Sequence, residues 1–157
     1  MPRTTISELL ADARSRLERL EPEAALAAQR AGALIVDTRS SDERRRDGVI
    51  PGALHVPLSV LPWRVDPDAD PRFHNPNLEG FDQRLVLVCA HGFSSSIAAA
   101  TLQDLGFSRA TDVEGGFVAW KEQGLPVVPA PPSDPHATPG MGPPDPRPAS
   151  PSQSQDR

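Results

Sequence analysis

The sequence predicts an α/β domain with a largely parallel central sheet flanked by helices, and three observations carry that expectation. Two apolar runs of strand length, Ala33-Leu34-Ile35-Val36 and Leu85-Val86-Leu87-Val88, and a third strand-like segment, Ala110-Thr111-Asp112-Val113, recur along the chain. Each is too short for a helix and reads as a buried strand. Between them lie segments of helical pattern, and strands alternating with helices build parallel sheets. Glycines at 32, 106 and 124 fall where those helices have to stop.

In order along the chain, Ile6, Leu9, Leu10, Ala13, Leu17 and Leu20 repeat at helical spacing and predict a helix with one apolar face. Thr5 and Glu8 have the capping-box spacing that starts it. Pro22 at a first-turn position, followed by Glu23 and an alanine-rich run, announces a second helix, which Gly32 ends. The first strand follows and finishes at Asp37. Arg44-Arg45-Arg46, flanked by Asp42, Glu43 and Asp47, is expected on the solvated face of a short helix. His55 and Val56 belong to a brief strand hemmed by Pro51, Pro57 and Pro62. From 62 to 82 the chain is proline- and asparagine-rich and reads as a long loop, either the rim of a substrate pocket or a passive insertion. The strand at 85–88 then hands over at Cys89 to an alanine-rich helix running from about Ser95 to Leu105. A strand at 110–113 and a short helix from Phe117 to Gln123 close the domain.

Ten of the nineteen prolines lie in 129–157, mixed with Ser, Gly, Asp and Gln. Such a segment buries too little apolar surface to offset its ordering entropy. The expected organisation is therefore an N-terminal helical extension (1–20), one domain (21–129) and a disordered Pro-rich tail (130–157). The net charge of −5 is spread without a basic stripe, which argues against nucleic acid as a partner. Residues 1–20 carry charges throughout, leaving no apolar core for a secretion signal and no membrane span, so a cytoplasmic location and no membrane partner are expected. One cysteine excludes an intramolecular disulfide and a cysteine-rich zinc site.

That cysteine is either a small buried hydrophobe or a nucleophile, and its place favours the nucleophile. A strand ending at Cys89 puts the sulfur at the carboxyl edge of the sheet, where open α/β sheets bind ligands. Ala90, His91, Gly92, Phe93, Ser94 and Ser95 follow it, and their backbone N–H groups with the next helix N-terminus favour an anion there. A thiolate or a persulfide fits that setting equally.

Several segments resemble the rhodanese family of single-domain sulfurtransferases, in the family's order, over about 24–128. They are Ile35-Val36-Asp37-Thr38-Arg39, Gly48-Val49-Ile50-Pro51-Gly52-Ala53-Leu54, the Cys89 strand and loop, and Gly115-Gly116-Phe117-Val118-Ala119-Trp120 with Gly124-Leu125-Pro126-Val127. The resemblance implies a rhodanese-like three-layer fold and a sulfurtransferase. Cys89 would take a sulfane sulfur from thiosulfate or a persulfide and pass it to cyanide, a thiol or a protein acceptor, with no cofactor or metal. It also implies that Ala90 to Ser95 cradle the sulfur; Asp37 and Arg39 read as structural neighbours of the site, with a direct role in donor binding as the lesser alternative.

Three departures from the family stand out. Many thiosulfate-using members carry Arg at the fifth position after the cysteine, and here it is Ser94. His91, or Arg64, Arg72 and His74 in the long loop, are candidate sources of the missing positive charge; His91 reads equally as an exposed loop histidine. The family's Gly-His-Ile histidine is Val49, and Asp37 to Ile50 is one residue longer than usual, both against a catalytic role for that turn. Trp63 and Trp120 read as packing residues. Two other functions compete: a noncatalytic rhodanese-like binding module, and a phosphatase or arsenate reductase, which needs Arg where Ser95 stands.

Overall fold

The computed structural model describes residues 2–70, 75 and 78–132. Helix α1 (Ile6–Ser15) begins at the expected capping box, Thr5 and Glu8 each accepting from the other's backbone N–H. Its apolar stripe is only partly used. Ile6 is 68% and Leu9 45% exposed, while Ala13 is buried. Leu17 and Leu20 lie past the helix: Leu17 packs on the core and Leu20 makes a bridge to Val113. Helix α2 (Pro22–Arg30) opens on its proline and ends before Gly32.

Four strands, β1 (Leu34–Asp37), β2 (Leu54–His55), β3 (Leu85–Val88) and β4 (Thr111–Asp112), form one sheet in the order β2-β1-β3-β4, every pair parallel. Because successive side chains point to opposite faces, β1 and β3 feed two cores. Val36, Leu85 and Leu87 join Leu61, Ala98, Ala99 and Leu102 on one side. Ile35, Val86 and Val88 join Ala25, Phe117 and Trp120 on the other. Helices α4 (Leu61–Val65) and α5 (Ser94–Asp104) therefore cover the first face, and α2 and α6 (Gly116–Glu122) the second. Helix α1 packs on α5. The result is the three-layer α/β arrangement expected from the sequence.

Several local expectations are revised. Helix α3 (Ser41–Asp47) carries the arginine run, yet Arg44 turns inward, 6% exposed, to pair with Asp37 at 3.3 Å. Only Arg45 and Arg46 are solvated, paired with Asp42 and Asp47. The polar flanks hid one residue needed to neutralise a buried carboxylate. Trp120 is fully buried and its indole N–H donates to the Pro126 carbonyl at 2.9 Å, whereas Trp63 is 39% exposed on α4 and is not a core residue. Helix α4 itself occupies the start of the stretch read as loop. Arg72 and His74, and the proline-rich tail beyond 132, fall outside the described residues.

Parallel pairing brings the carboxyl ends of all four strands to one edge. Asp37, His55, Cys89 and Asp112 stand at or just past those ends. Among the described residues, no helix is long and apolar enough to cross a membrane.

Candidate active site

Cys89 follows directly on β3, and its Sγ is fixed on two sides. The Gly92 N–H donates to it at 3.1 Å, and Ser95 Oγ lies 3.2 Å away. To bring that amide back onto the sulfur the chain turns through Gly92 at φ 81°, a left-handed conformation that costs a side-chain-bearing residue about 1–2 kcal/mol. A Cβ there would also lie 2.9 Å from the Gly115 nitrogen and 3.1 Å from the Val113 carbonyl oxygen. Gly116 faces the loop from the other direction, and a Cβ on it would stand 2.5 Å from the Cys89 carbonyl oxygen. Without side chains the two backbones close up. Phe117 and Val118 at the start of α6 then donate their N–H groups to the Cys89 and Ala90 carbonyls at 2.8 and 3.1 Å.

Ser95, fully buried, connects the sulfur to Asp112 on β4, also fully buried. Its hydroxyl donates to Asp112 Oδ2 at 2.8 Å, as does the hydroxyl of Ser96 at 2.8 Å. A hydroxyl has one proton. While the Ser95 proton goes to Asp112, the thiol can donate to Ser95 Oγ; when the sulfur is ionised, that proton can rotate to it, and Asp112 keeps Ser96 and Arg19. Burial pushes the Cys89 thiol up, and hydrogen bonds from the Ser95 and Ser94 hydroxyls and the Ser95 and Gly92 amides outweigh it. The thiol therefore ionises below the ordinary cysteine range.

Two guanidinium groups reach the back of the loop from the N-terminal segment. Arg14 donates to the Gly92 carbonyl at 2.8 Å and to Ser96 Oγ at 3.2 Å, and lies 5.5 Å over the Phe93 ring. Arg19 donates to the same carbonyl at 3.0 Å and forks onto Asp112 at 2.9 and 3.2 Å.

In front of the sulfur opens a cavity of about 490 Å³ lined by Thr38, Arg39, Ser40, Glu43, Pro57, Leu58, Ser59, Cys89, Ala90, His91, Phe93 and Ser94. Of the residues singled out from the sequence, Cys89, Ala90, His91, Phe93 and Ser94 face this space, while Gly92 and Ser95 lie beneath it. His91 and Phe93 are exposed. Arg39 lines the cavity, and two of its three guanidinium nitrogens are committed: Nε and Nη2 fork onto Asp37 at 3.1 and 2.9 Å and Nη2 donates to the Gly48 carbonyl. Nη1 is buried without a hydrogen-bond partner among the described residues, and the group stacks 3.7 Å from the Phe117 ring centroid. Asp37 is fully buried between Arg39 and Arg44. Arg64 is buried in α4 and is not among the cavity-lining residues. The described residues of 62–82 do not line it either; the rim comes from Pro57, Leu58 and Ser59 just upstream. Val49 exchanges two backbone hydrogen bonds with Val128, a structural task that pins its turn.

Asp112, Ser96, Arg14 and Arg19 were not singled out from the sequence. Asp112 had a readable signal, an acid interrupting an apolar strand at the carboxyl edge. The two arginines had none, because their partners lie 73 to 93 residues away.

A family model described as the rhodanese-like domain matches residues 21–123. The chain belongs to the rhodanese-like domain family. Among relatives of this rhodanese-like protein, the thiosulfate sulfurtransferase GlpE of Pseudomonas entomophila is 37% identical over 108 residues, covering 68% of this chain and 87% of that one. A sulfurtransferase of Allochromatium vinosum is 34% identical over 95 residues, 60% of this chain and 78% of its own. Of solved structures, a Rhodopseudomonas palustris protein of unknown function, described as a possible tyrosine phosphatase, aligns with TM-score 0.68 and 36% identity. The match covers 82% of this chain and 99% of that one. The polysulfide-sulfur transferase homodimer of Wolinella succinogenes shares the fold at 22% identity, with TM-score 0.62 over 77% of this chain and 85% of that one. With its family and these relatives, the rhodanese-like protein is a sulfurtransferase of the rhodanese type.

Proposed function

We propose that the enzyme moves a sulfane sulfur through a persulfide on Cys89. The observation that carries this reading is the sulfur itself, met by an amide and a hydroxyl from below, beside a cavity that opens to solvent. In the first step the Cys89 thiolate attacks the outer sulfur of the donor. With thiosulfate, the S–S bond breaks, sulfite leaves with the bonding pair, and the cysteine carries the terminal sulfur as a persulfide anion. In the second step cyanide or a thiolate attacks that sulfur; thiocyanate or a new persulfide forms, and the Cys89 thiolate returns. No oxidant or reductant is needed, since electron pairs only change partners.

Ala90, His91, Gly92, Phe93, Ser94 and Ser95 form the cradle, and Asp37 with Arg39 holds the adjoining wall. Thiosulfate as donor is supported by the name of the Pseudomonas relative, and a low-molecular-weight persulfide suits a cavity whose one lining guanidinium has its charge already paired with Asp37. A protein thiol is a further acceptor, and a cytoplasmic setting fits a free thiol of this kind. Phosphatase chemistry is disfavoured because the position that should hold a phosphate-binding arginine holds Ser95, turned onto Sγ.

The experiment is intact mass measurement after incubation with thiosulfate and, separately, glutathione persulfide. A gain of one sulfur atom in the wild type and none in Cys89→Ser is expected. A failure to load with both donors sinks the reading and leaves the noncatalytic binding module in its place.

A further inference from the structure

The Cys89 loop has no arginine of its own, yet two guanidinium groups grip it from behind, and both lie on the segment that precedes the family-matched residues. We infer that Arg14 and Arg19 are positioning residues of the sulfur-transfer centre, holding the loop by the Gly92 carbonyl and setting one surplus positive charge behind the sulfur. The inference deepens the proposed sulfur-transfer reading and rests on it.

Geometry fixes the loop first. One carbonyl oxygen accepts from two guanidinium groups at 2.8 and 3.0 Å, while Ser96 Oγ, whose proton goes to Asp112, accepts from Arg14 at 3.2 Å. The Gly92 N–H on the sulfur and the Gly92 carbonyl under the arginines belong to the same residue, so tension on one side sets the aim of the other. Helix α1 is in turn seated on α5, the helix that delivers Ser95 and Ser96.

Charge comes second. Arg19 is neutralised by Asp112. Among the described residues Arg14 meets only neutral groups, namely the Gly92 carbonyl, Ser96 Oγ and the Phe93 ring. The other ionisable groups around the sulfur are Arg39 and Arg44, which share the one carboxylate of Asp37 on the far wall, Glu43 on the cavity wall from α3, and His91 on the loop. Arg14 thus contributes the positive charge that Ser94 does not. A half-exposed cation acts weakly through water, but its field still favours an anion over a thiol.

The test uses the full chain and the rate of Cys89 alkylation by iodoacetamide between pH 5 and 9. Because Cys89 is the only cysteine, the reagent reads nothing else. Arg14→Gln is expected to lower the rate about threefold at neutral pH and to leave it unchanged where the thiol is fully ionised, the size of effect a part-exposed charge produces. Arg14→Lys restores charge without the fork, and recovery of more than half the lost rate supports the electrostatic role. An Arg14→Lys rate as low as that of Arg14→Gln overturns that role. An Arg14→Gln profile superimposable on the wild type overturns the inference altogether, even if the melting temperature falls, since a merely structural arginine would move only the latter. Arg19→Lys, which keeps a cation beside Asp112, is expected to fold and to slow alkylation at neutral pH by loosening the Gly92 amide on the sulfur. An unchanged alkylation rate would remove Arg19 from the centre. Alkylation needs no sulfur donor, so a wild type that never loads sulfur defeats the proposed function without touching this result.

Discussion

Replacing Ser95 by alanine separates the chemistry of the sulfur from the stability of the fold. The hydroxyl has two neighbours, Cys89 Sγ at 3.2 Å and Asp112 Oδ2 at 2.8 Å, and no exposure to water. Asp112 loses one donor of four contacts and keeps Ser96 and both nitrogens of Arg19, so the fold should lose about 1 kcal/mol, the net worth of one hydrogen bond. The thiolate is harder hit. A hydrogen bond to a charged group is worth about 1.5–3 kcal/mol, and the lower end, fitting a 3.2 Å contact to sulfur, corresponds to roughly tenfold in ionisation. Urea denaturation gives the first number, and the iodoacetamide rate across pH gives the second. The variant should alkylate about tenfold more slowly at neutral pH and recover at alkaline pH, with sulfur loading from thiosulfate reduced in parallel. If the variant remained folded and its alkylation profile overlaid the wild type's, the hydroxyl would have no part in holding the anion. The Gly92 and Ser95 amides and the Ser94 hydroxyl would then have to hold it.

Gly116→Ala should cost about 3 kcal/mol or more in urea denaturation and slow sulfur loading, because its Cβ meets backbone at 2.5 Å at a φ of 64°; a loss under about 1 kcal/mol would refute that close approach. Asp37→Asn should destabilise by about 3–5 kcal/mol, leaving Arg39 and Arg44 buried without their carboxylate, and a melting temperature within a few degrees of wild type would contradict the pairing. Cys89 has its thiol pKa lowered in the folded chain, so ionisation adds stability that is fully present above the unfolded thiol's pKa and is lost as pH falls through the folded one. The stability of the wild type relative to Cys89→Ser should accordingly rise from neutral to mildly alkaline pH; a flat difference would deny the shift.

The sheet was readable because β1 and β3 are buried on both faces and leave unbroken apolar runs, and α2, α5 and α6 were readable from their proline, alanine and glycine signals. The tip of the site was readable for a local reason: Cys89, Gly92 and Ser95 are close in sequence. Its support was not. Arg14 and Arg19 meet the loop only after α1 docks on α5, and nothing in the spacing of residues 1–20 records that. An apolar stripe drew attention to Ile6 and Leu9, which are exposed, rather than to the polar residues of the same segment. Arg44 misled in the same way, its acidic neighbours masking a partner at the end of β1.

The carbonyls of Cys89 and Ala90 point back into the first turn of α6, and that of Gly92 points at the arginines. With those three oxygens drawn to the rear, the loop is sorted by polarity, acceptors behind and donors toward the sulfur. Freeing any one of them would let an electronegative atom swing toward an electron-rich sulfur and repel it. What keeps the anion in place is thus as much the restraint of oxygens as the offer of hydrogens, and damage at α6 or α1 should be felt at the sulfur without any change in the residues that touch it.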